Sequence, residues 1–377
     1  MAAQQPLKNE AAWLTSEKAY PLQVKEAPFP EPVGDEIIIK VGAIAVNPVD
    51  YVLQESAFYP LPYPWILGTD IAGHIHALGP SADTTIFRPG DPVLALTPGF
   101  DARDPAGGAF QRFVRQRPPL VARIPPGLPL ADACVVPLAT GTAAAGLFED
   151  GFLGLRLPSA IPAVTTGAGV EGGGEGEGDG GKEGGNEKDK EVLLVWGAAS
   201  SVGSCAVQLA RCAGYEVWGV AGEANAGYVV DGLGAARAFD YRAEGVVDGI
   251  VEAFVGRRFA GVFDAVSVGG AVEACVEVAA RVGTEGRRFV ASVRWLPEGL
   301  KDNLPEGVEA KWMWGSMSGK TEVGPAVFGT FLPKALEDGR FKCMPRPEVV
   351  GEGLESLQKA CDVLKGGVSA KKIVVTL

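Results

Sequence analysis

Short stretches in which apolar and polar residues alternate fill the first 125 residues of the chain. The longest, residues 36–46, is rich in β-branched side chains and is long enough for one or two strands. Further strand-like stretches lie at residues 71–77, 92–96 and 110–114, separated by turn-forming residues such as Arg88-Pro89-Gly90-Asp91. Because half-buried strands alternate in this way, the pattern predicts a small, mostly antiparallel β domain.

The pattern changes near residue 130. Residues 139–148 are rich in small side chains and predict a helix, whereas residues 192–196 form a continuous apolar run that is typical of a strand buried on both faces. A helical pattern follows at residues 205–213. A strand, a helix and two strands are then predicted at residues 215–221, 225–233, 237–241 and 261–266. The order βαβαβ indicates a doubly wound parallel sheet and the fold class α/β.

Residues 167–191 interrupt this second region with 11 glycines, eight acidic residues and three lysines. The segment has no aromatic residue, and its one branched aliphatic side chain is Val170. It therefore has too little apolar surface to offset the entropy of ordering the chain, and we expect a disordered insertion in a surface loop. A partner-binding segment is the alternative.

The chain carries 34 Lys and Arg against 46 Asp and Glu, a net charge of −12. This charge repels phosphate backbones and anionic membrane surfaces, so neither nucleic acid nor a membrane is an expected partner. No apolar run approaches the roughly 20 residues that span a bilayer, and residues 1–8 lack the pattern of a signal peptide. We expect a cytoplasmic protein whose six scattered cysteines stay reduced.

A glycine-rich turn, Gly197-Ala198-Ala199-Ser200-Ser201-Val202-Gly203, directly follows the apolar strand and precedes a helix. Gly197 permits a tight turn, and Gly203 lets the helix pack closely against it. The helix N-terminus and its free N–H groups then face an anion, and a dinucleotide pyrophosphate fits there. A purely structural turn is the alternative, since the spacing departs from the strict G-x-G-x-x-G pattern.

The end of the next predicted strand bears on the choice of dinucleotide. An Asp or Glu at this place usually holds the ribose 2′-hydroxyl of NAD, but here Gly222 stands at the strand end. No Lys or Arg lies between residues 222 and 236, so a 2′-phosphate would depend on Asn225, Tyr228 and the helix N-terminus. These features predict NADPH, and Glu223 is the residue that favours NADH.

Several short motifs in one order resemble the medium-chain dehydrogenase/reductase superfamily, specifically its zinc-independent fungal branch of enoyl reductase-like and quinone oxidoreductase-like proteins. The matching stretches are residues 47–50, 68–73, 88–93, 107–111, 138–143, 197–203, 239–242 and 368–372. The resemblance implies a GroES-like β domain formed by residues 1–135 with 322–377. It also implies a Rossmann domain formed by residues 136–321.

The same resemblance assigns cofactor contacts. Asn47, Pro48, Val49 and Asp50 would lie beside the nicotinamide, Thr142 would touch its ring or ribose, Ala199, Ser200, Ser201, Val202 and Gly203 would hold the phosphates, Gly222, Asn225, Tyr228 and Tyr241 would line the adenosine end, and Val368 and Ser369 would close over the cofactor. Ordinary structural roles remain open for three of these features. Thr142 could pack its helix, Tyr241 could be a strand tyrosine, and Asn47-Pro48 could be a simple turn.

The chain departs from the zinc enzymes of that superfamily, which carry a Cys ligand near the position of Asn47 and a Gly-His-Glu where this chain has Gly68-Thr69-Asp70. Residues 47–133 contain no cysteine, although a catalytic zinc needs three protein ligands and a structural zinc four. The chain's two histidines, His74 and His76, lie on one face of a strand and would need further ligands. We expect no metal.

These features predict an NADPH-dependent oxidoreductase that reduces an activated C=C bond of an enoyl or enone substrate, or a quinone, without zinc. Fungal secondary metabolism is one expected setting. Tyr51 and Asp50 are weak candidates for the proton donor, and Trp295, Trp312, Met313 and Trp314 are candidates for an apolar pocket or for packing at an interface. The expected partner is a small-molecule substrate, and the protein is expected to be a monomer or a homodimer.

Two other functions remain open: a zinc-type alcohol dehydrogenase and a non-catalytic NADPH-binding regulatory protein. A metal assay separates the first from the prediction. Cofactor binding without turnover would favour the second.

Overall fold

The computed structural model describes residues 7–160, 190–282 and 286–377. Its strands are β1 (Asn9–Leu14), β2 (Gln23–Ala27), β3 (Ile37–Ala45), β4 (Trp65–Ile66), β5 (Asp70–Leu78), β6 (Pro92–Leu96), β7 (Phe113–Gln116), β8 (Val121–Arg123), β9 (Glu191–Trp196), β10 (Glu216–Ala221), β11 (Arg237–Asp240), β12 (Arg258–Asp264), β13 (Phe289–Ser292), β14 (Glu309–Trp312), β15 (Arg346–Glu352) and β16 (Lys371–Thr376). Its α-helices are α1 (Pro48–Ser56), α2 (Gly99–Ala102), α3 (Leu130–Ala133), α4 (Pro137–Phe148), α5 (Ser201–Cys212), α6 (Val246–Ala253), α7 (Ala271–Arg281), α8 (Leu332–Glu337) and α9 (Leu357–Lys365).

The first domain is built mostly from antiparallel strands, as their alternating sequence predicts, whereas β15 and β16 run parallel to each other. Its larger sheet has the order β15-β16-β3-β5-β6-β8, and β7 also pairs with β3. The C-terminal strand β16 lies antiparallel to β3, with Val374 opposite Ala45. A smaller sheet has the order β2-β1-β4. Residues from the end of the chain therefore lie beside residues from its first 50, as the GroES-like resemblance implies.

The second domain is a six-stranded sheet in the order β11-β10-β9-β12-β13-β14, with every pair parallel. Strand β9 lies at the centre and is buried on both faces. Leu193 and Val195 pack into one apolar core, whereas Val192 and Leu194 pack into the other, as the two-residue period of a strand requires. Counted within this sheet, the strand order is 3-2-1-4-5-6, the doubly wound arrangement that binds dinucleotides.

The predicted α/β class and the combination of a GroES-like β domain with a Rossmann domain are confirmed. One element prediction needs correction. The strand expected at residues 110–114 lies at Phe113–Gln116, because Gln111 uses its side chain to satisfy the carbonyls of a preceding turn. The helix predicted at residues 225–233 is present, as a 3₁₀ turn, Glu223–Asn225, and a π-helix, Tyr228–Gly232.

The expected disordered insertion lies outside the described residues over 167–189, and Glu191, its last predicted residue, already begins β9. The domain boundaries at residues 135 and 322 stay predictions. Residues 130–148 are long and apolar enough to cross a membrane by length and composition, and 78% of this segment is buried inside the protein. Such burial is typical of a helix in the core of a folded domain.

Candidate cofactor and substrate site

The glycine-rich turn between β9 and α5 has the geometry of an anion site. Gly197 has a φ of +75°, which favours glycine, and Ser200 caps α5 by accepting a hydrogen bond from the Gly203 N–H at 3.0 Å. A Cβ placed on Gly203 would lie 2.2 Å from the Gly197 carbonyl oxygen. The turn is therefore held close to the helix, and the N–H groups of the first helical turn face outwards from the end of β9.

A second polar group borders this turn and was missed by the sequence analysis. Asp264, at the carboxyl end of β12, is fully buried and accepts hydrogen bonds from the Val266 and Ser267 N–H groups and from the Ser267 hydroxyl. Ser267 in turn contacts the Ser292 hydroxyl at 2.7 Å. Burial raises the pKa of Asp264 above its usual value. The sequence feature that could have identified Asp264 is its position as a carboxylate at the end of a buried strand. This is the edge at which parallel α/β sheets bind ligands.

The end of β10 carries a cation that the sequence analysis also missed. The Arg242 guanidinium lies 4.7 Å from the ring centroid of Tyr241, and a Cβ on Gly222 would be 3.0 Å from Arg242 Nη1. Both side chains are exposed, so the guanidinium keeps donors free for a ligand. Arg242 follows the neighbouring strand β11 and therefore lies outside residues 222–236, which contain no Lys or Arg.

The remaining adenosine-end residues are also close to each other. Asn225 Nδ2 donates to the Ser369 hydroxyl at 3.1 Å, which brings the C-terminal tail and exposed Val368 near the end of β10. Tyr228 shares a 2.8 Å hydrogen bond with the buried Ser204 hydroxyl on α5. Burial raises the pKa of Tyr228 to about 12, so its phenol stays protonated. Asn225 therefore contacts the C-terminal tail, and Tyr228 contacts the helix that follows the glycine-rich turn.

In the first domain, Asn47 lies at the start of α1 and is almost fully buried. Its Nδ2 donates to Thr69 Oγ1 at 3.1 Å and to Asp70 Oδ2 at 2.8 Å, while its Oδ1 accepts from Lys372 Nζ. Asn47 therefore makes specific side-chain contacts that a simple turn residue would not need. We call Asn47, Thr69, Asp70 and Lys372 the buried polar cluster.

Lys372 supplies the positive charge of this cluster from strand β16. Its Nζ lies 2.9 Å from Asp70 Oδ2, and the two side chains are 3% and 0% exposed. Asp70 Oδ1 also accepts a hydrogen bond from the Leu138 N–H at the start of α4. The ion pair therefore joins β5, β16 and α4 at one point. The motif at residues 368–372 is visible in the sequence, but nothing near it in the chain predicts a role for Lys372.

Thr142 lies one helical turn further along α4. Its hydroxyl donates to the Leu138 carbonyl oxygen at 2.8 Å, as the helix-packing alternative implied, and the residue is 7% exposed. Gly315 packs against it so closely that a Cβ there would be 2.5 Å from Thr142 Oγ1. Thr142 therefore borders the segment that follows β14.

The two proton-donor candidates differ in environment. Asp50, in the first turn of α1, is 1% exposed and accepts a hydrogen bond from the Asn47 N–H at 2.7 Å. Burial raises the pKa of Asp50 to about 7, and the hydrogen bond from Asn47 opposes that shift. Tyr51 and Val49 pack, half-buried, against the apolar core of the first domain, and Pro48 at the start of α1 is exposed.

Asp50 should make stability depend on pH. An ordinary aspartate has a pKa of 3.8, so between about pH 4 and pH 7 the unfolded chain loses this proton while the folded chain keeps it. The free energy of unfolding should fall as the pH rises through this window. Asp50→Asn, which cannot ionise, is expected to gain up to roughly 4 kcal/mol over the native protein near pH 8 and nothing near pH 4.

Urea unfolding of both proteins at the two pH values measures this difference. Asp35→Asn, which changes an exposed carboxylate, is the matched control and should show no such pH dependence. An equal effect of Asp50→Asn at both pH values would contradict the shifted pKa.

Among the described residues no group of three or more His, Cys, Asp or Glu side chains is placed to hold a metal ion. His74 is exposed, and the ring of His76 packs edge-on against Phe29 and Phe113 at 5.7 and 5.2 Å. The two histidines are two residues apart on strand β5 and therefore lie on the same face of it.

Comparisons with known proteins agree with this geometry. Residues 34–126 match the alcohol dehydrogenase GroES-like domain, and residues 201–285 match the zinc-binding dehydrogenase family. The chain is 38% identical to the dehydrogenase pigH of Monascus ruber, covering 98% of this chain and 99% of that one. It is 36% identical to the trans-enoyl reductase himH of Aspergillus japonicus, covering 98% and 97%.

Among solved structures, the fold is similar to that of an alcohol dehydrogenase superfamily protein from Novosphingobium aromaticivorans. The TM-score is 0.73, the identity is 24%, and the match covers 98% of this chain and 99% of the other. At this identity the likeness shows the shared fold.

Proposed function

The chain belongs to the enoyl-reductase-like branch of the medium-chain dehydrogenase/reductase family, and we propose that it reduces an activated C=C bond, or a quinone, with NADPH and without zinc. Members of this family are oxidoreductases that bind a nicotinamide cofactor and act on small molecules.

The buried polar cluster is the observation that carries the proposal. Asn47, Thr69 and Asp70 stand where zinc enzymes of this superfamily have Cys, His and Glu, and Asn47 contacts both of the others directly. The Lys372 ammonium lies 2.9 Å from Asp70, at the place where a dication would need negative ligands. The Lys372 ammonium would repel a zinc ion bound at this place. The cluster therefore favours chemistry without a Lewis acid.

The proposed reaction is the reduction of a conjugated bond by hydride transfer. Bound nicotinamide would supply the hydride, which adds to the β-carbon while a proton goes to the α-carbon. A substrate carbonyl gains negative charge as this happens, and N–H or O–H donors stabilise that charge. Asp50, with its pKa of about 7, can hold a proton at neutral pH, but its side chain is buried in the first turn of α1. We therefore assign it no direct step, and the cofactor's position would carry most of the catalysis.

The preference for NADPH rests on Arg242. Its guanidinium lies beside Gly222, where an acidic residue would otherwise hold the ribose 2′-hydroxyl of NAD. Arg binds phosphate with parallel, charge-assisted hydrogen bonds. The Arg242 guanidinium lies over the Tyr241 ring, 4.7 Å from its centroid, in a cation–π contact. Glu223, also exposed, is the nearby group that opposes a phosphate.

Arg242→Ala should raise the Kd for NADPH about 10- to 100-fold, because charge-assisted hydrogen bonds contribute roughly 1.5–3 kcal/mol. The Kd for NADH should stay within about twofold, since NADH has no 2′-phosphate. Arg258→Ala is the control, because Arg258 is an exposed arginine at the opposite, amino end of the sheet. Fluorescence titration with both cofactors measures the effect. An equal loss of affinity for NADPH and NADH would show that Arg242 does not bind the 2′-phosphate.

The function itself is tested by NADPH consumption on a panel of enones, enoyl thioesters and quinones, with metal-free protein. Turnover that is unchanged by zinc supports the proposal. Turnover that appears only after zinc is added, on alcohols or simple ketones, would establish the zinc-type alcohol dehydrogenase. NADPH binding without turnover on any member of the panel would indicate a regulatory protein.

A further inference from the structure

Six aromatic side chains form a connected set that the proposed function leaves unexplained. They are Phe58, Tyr59, Phe100, Trp295, Trp312 and Trp314, which we call the aromatic circuit. Successive ring centroids lie 5.3–6.0 Å apart and meet nearly edge to face, in the order Tyr59, Phe100, Trp314, Trp312, Trp295, Phe58. Phe58 and Tyr59 are neighbours in the chain, so the contacts close into a loop.

The circuit is built from both domains. Phe58 follows α1 and Phe100 lies in α2, both in the first domain. Trp295 follows strand β13 and Trp312 ends strand β14 in the second. In doubly wound proteins, ligands bind at the carboxyl ends of the strands and in the crevice between domains. The circuit therefore lies where a substrate would enter.

One side of the circuit borders the expected nicotinamide position. Trp314 precedes Gly315, which packs against the Thr142 hydroxyl. The Trp314 indole is fixed by Asp101, whose two carboxylate oxygens accept from its Nε1 at 2.8 and 2.9 Å. The Ser316 hydroxyl also hydrogen-bonds to Asp101. The inner ring of the circuit thus has a defined orientation beside α4.

The other side of the circuit faces solvent. Trp295 is 56% exposed and Trp312 is 38% exposed, although both are large apolar side chains. Rigid indole rings offer wide flat faces and lose little conformational entropy when a ligand covers them. An acyl chain would gain mainly from apolar area, whereas a flat conjugated ring system would also gain from stacking.

We propose that the aromatic circuit binds a planar aromatic or extended conjugated ring system that carries the reducible C=C bond. The inference rests on the proposed function, because the ring system would lie between the nicotinamide and the solvent. The overall reaction takes one NADPH and one proton and gives NADP⁺ and the saturated ketone. Substrates with only a small enone should be reduced but bound weakly.

Two assays on the full chain separate this inference from the proposed function. The binding assay titrates acetonaphthone, a flat aromatic ketone without a reducible C=C bond, into protein saturated with NADP⁺. The turnover assay compares the KM for benzylideneacetone, an aromatic enone, with the KM for cyclohexenone, a small enone without an aromatic ring. The variants are Trp295→Leu, Trp295→Phe and Tyr20→Leu, the last removing an exposed aromatic ring outside the circuit.

Trp295→Leu should raise the Kd for acetonaphthone and the KM for benzylideneacetone about tenfold, and leave the KM for cyclohexenone within about twofold. Trp295→Phe and Tyr20→Leu should both stay within about threefold of the native values. Unchanged aromatic binding in Trp295→Leu would overturn the inference. It would also be overturned if the native protein sedimented as a dimer and Trp295→Leu as a monomer that still binds acetonaphthone, since a second copy would then cover the circuit. Aromatic binding without any NADPH oxidation would instead contradict the proposed function alone.

Discussion

Lys372→Met is expected to lower the free energy of unfolding by about 3–5 kcal/mol. The substitution keeps the length of the side chain but removes the ammonium that lies 2.9 Å from Asp70. Both residues are buried, so the Asp70 carboxylate would remain in an apolar environment without its counter-charge, and water could not replace it. Asn47 would also lose the donor to its Oδ1. Urea unfolding at constant pH measures the change.

The neighbouring residue gives a matched control. Lys371 forms an ion pair of 2.7 Å with Glu348, but these side chains are 57% and 41% exposed. Lys371→Met should therefore cost no more than about 1 kcal/mol. The double variant Asp70→Asn, Lys372→Met removes both charges and should recover part of the loss. Equal costs at residues 371 and 372 would mean that burial of the second pair has no energetic consequence.

Gly203→Ala should weaken NADPH binding at least 100-fold, or about 2.8 kcal/mol. The added Cβ would lie 2.2 Å from the Gly197 oxygen and 2.8 Å from the Ala198 Cα. These are backbone atoms, so the turn must open or the start of α5 must move, and either change displaces the N–H groups that face the pyrophosphate. Fluorescence titration with NADPH gives the affinity, and circular dichroism checks that the variant is folded.

Gly249→Ala is the control for that substitution. Gly249 lies within α6, and a Cβ there would meet no atom within 4 Å. The variant should bind NADPH normally and gain up to about 1 kcal/mol of stability from helix propensity. If Gly203→Ala bound NADPH within about threefold of the native protein, the turn would not be the phosphate site.

The elements were predictable where one physical signal dominates. Strand β9 was found because burial on both faces leaves a run of apolar residues, and β6 because turn residues bound it on each side. The turn before α5 was found because its glycines are separated by small residues that open a helix. In each case the information is local in the sequence.

The site was predictable only in part, because its electrostatics depend on residues distant in the chain. Nothing near Asn47 reveals that Lys372 donates to it across 325 positions. Arg242 was missed for a similar reason, since it approaches Gly222 from the next strand of the sheet. A parallel sheet places the ends of successive strands side by side, so a search along one segment cannot find the cation that serves it.

The position of Lys372 on strand β16 also has a consequence for biosynthesis. The ribosome makes Asn47, Thr69 and Asp70 early, but their counter-charge is synthesised only near the end of the chain. Until then β3 lacks the strand that pairs with it through Val374 to Thr376, and an unpaired strand edge is prone to association with other chains. A nascent chain stalled before residue 372 would carry a buried carboxylate without its counter-charge and an unpaired edge on β3.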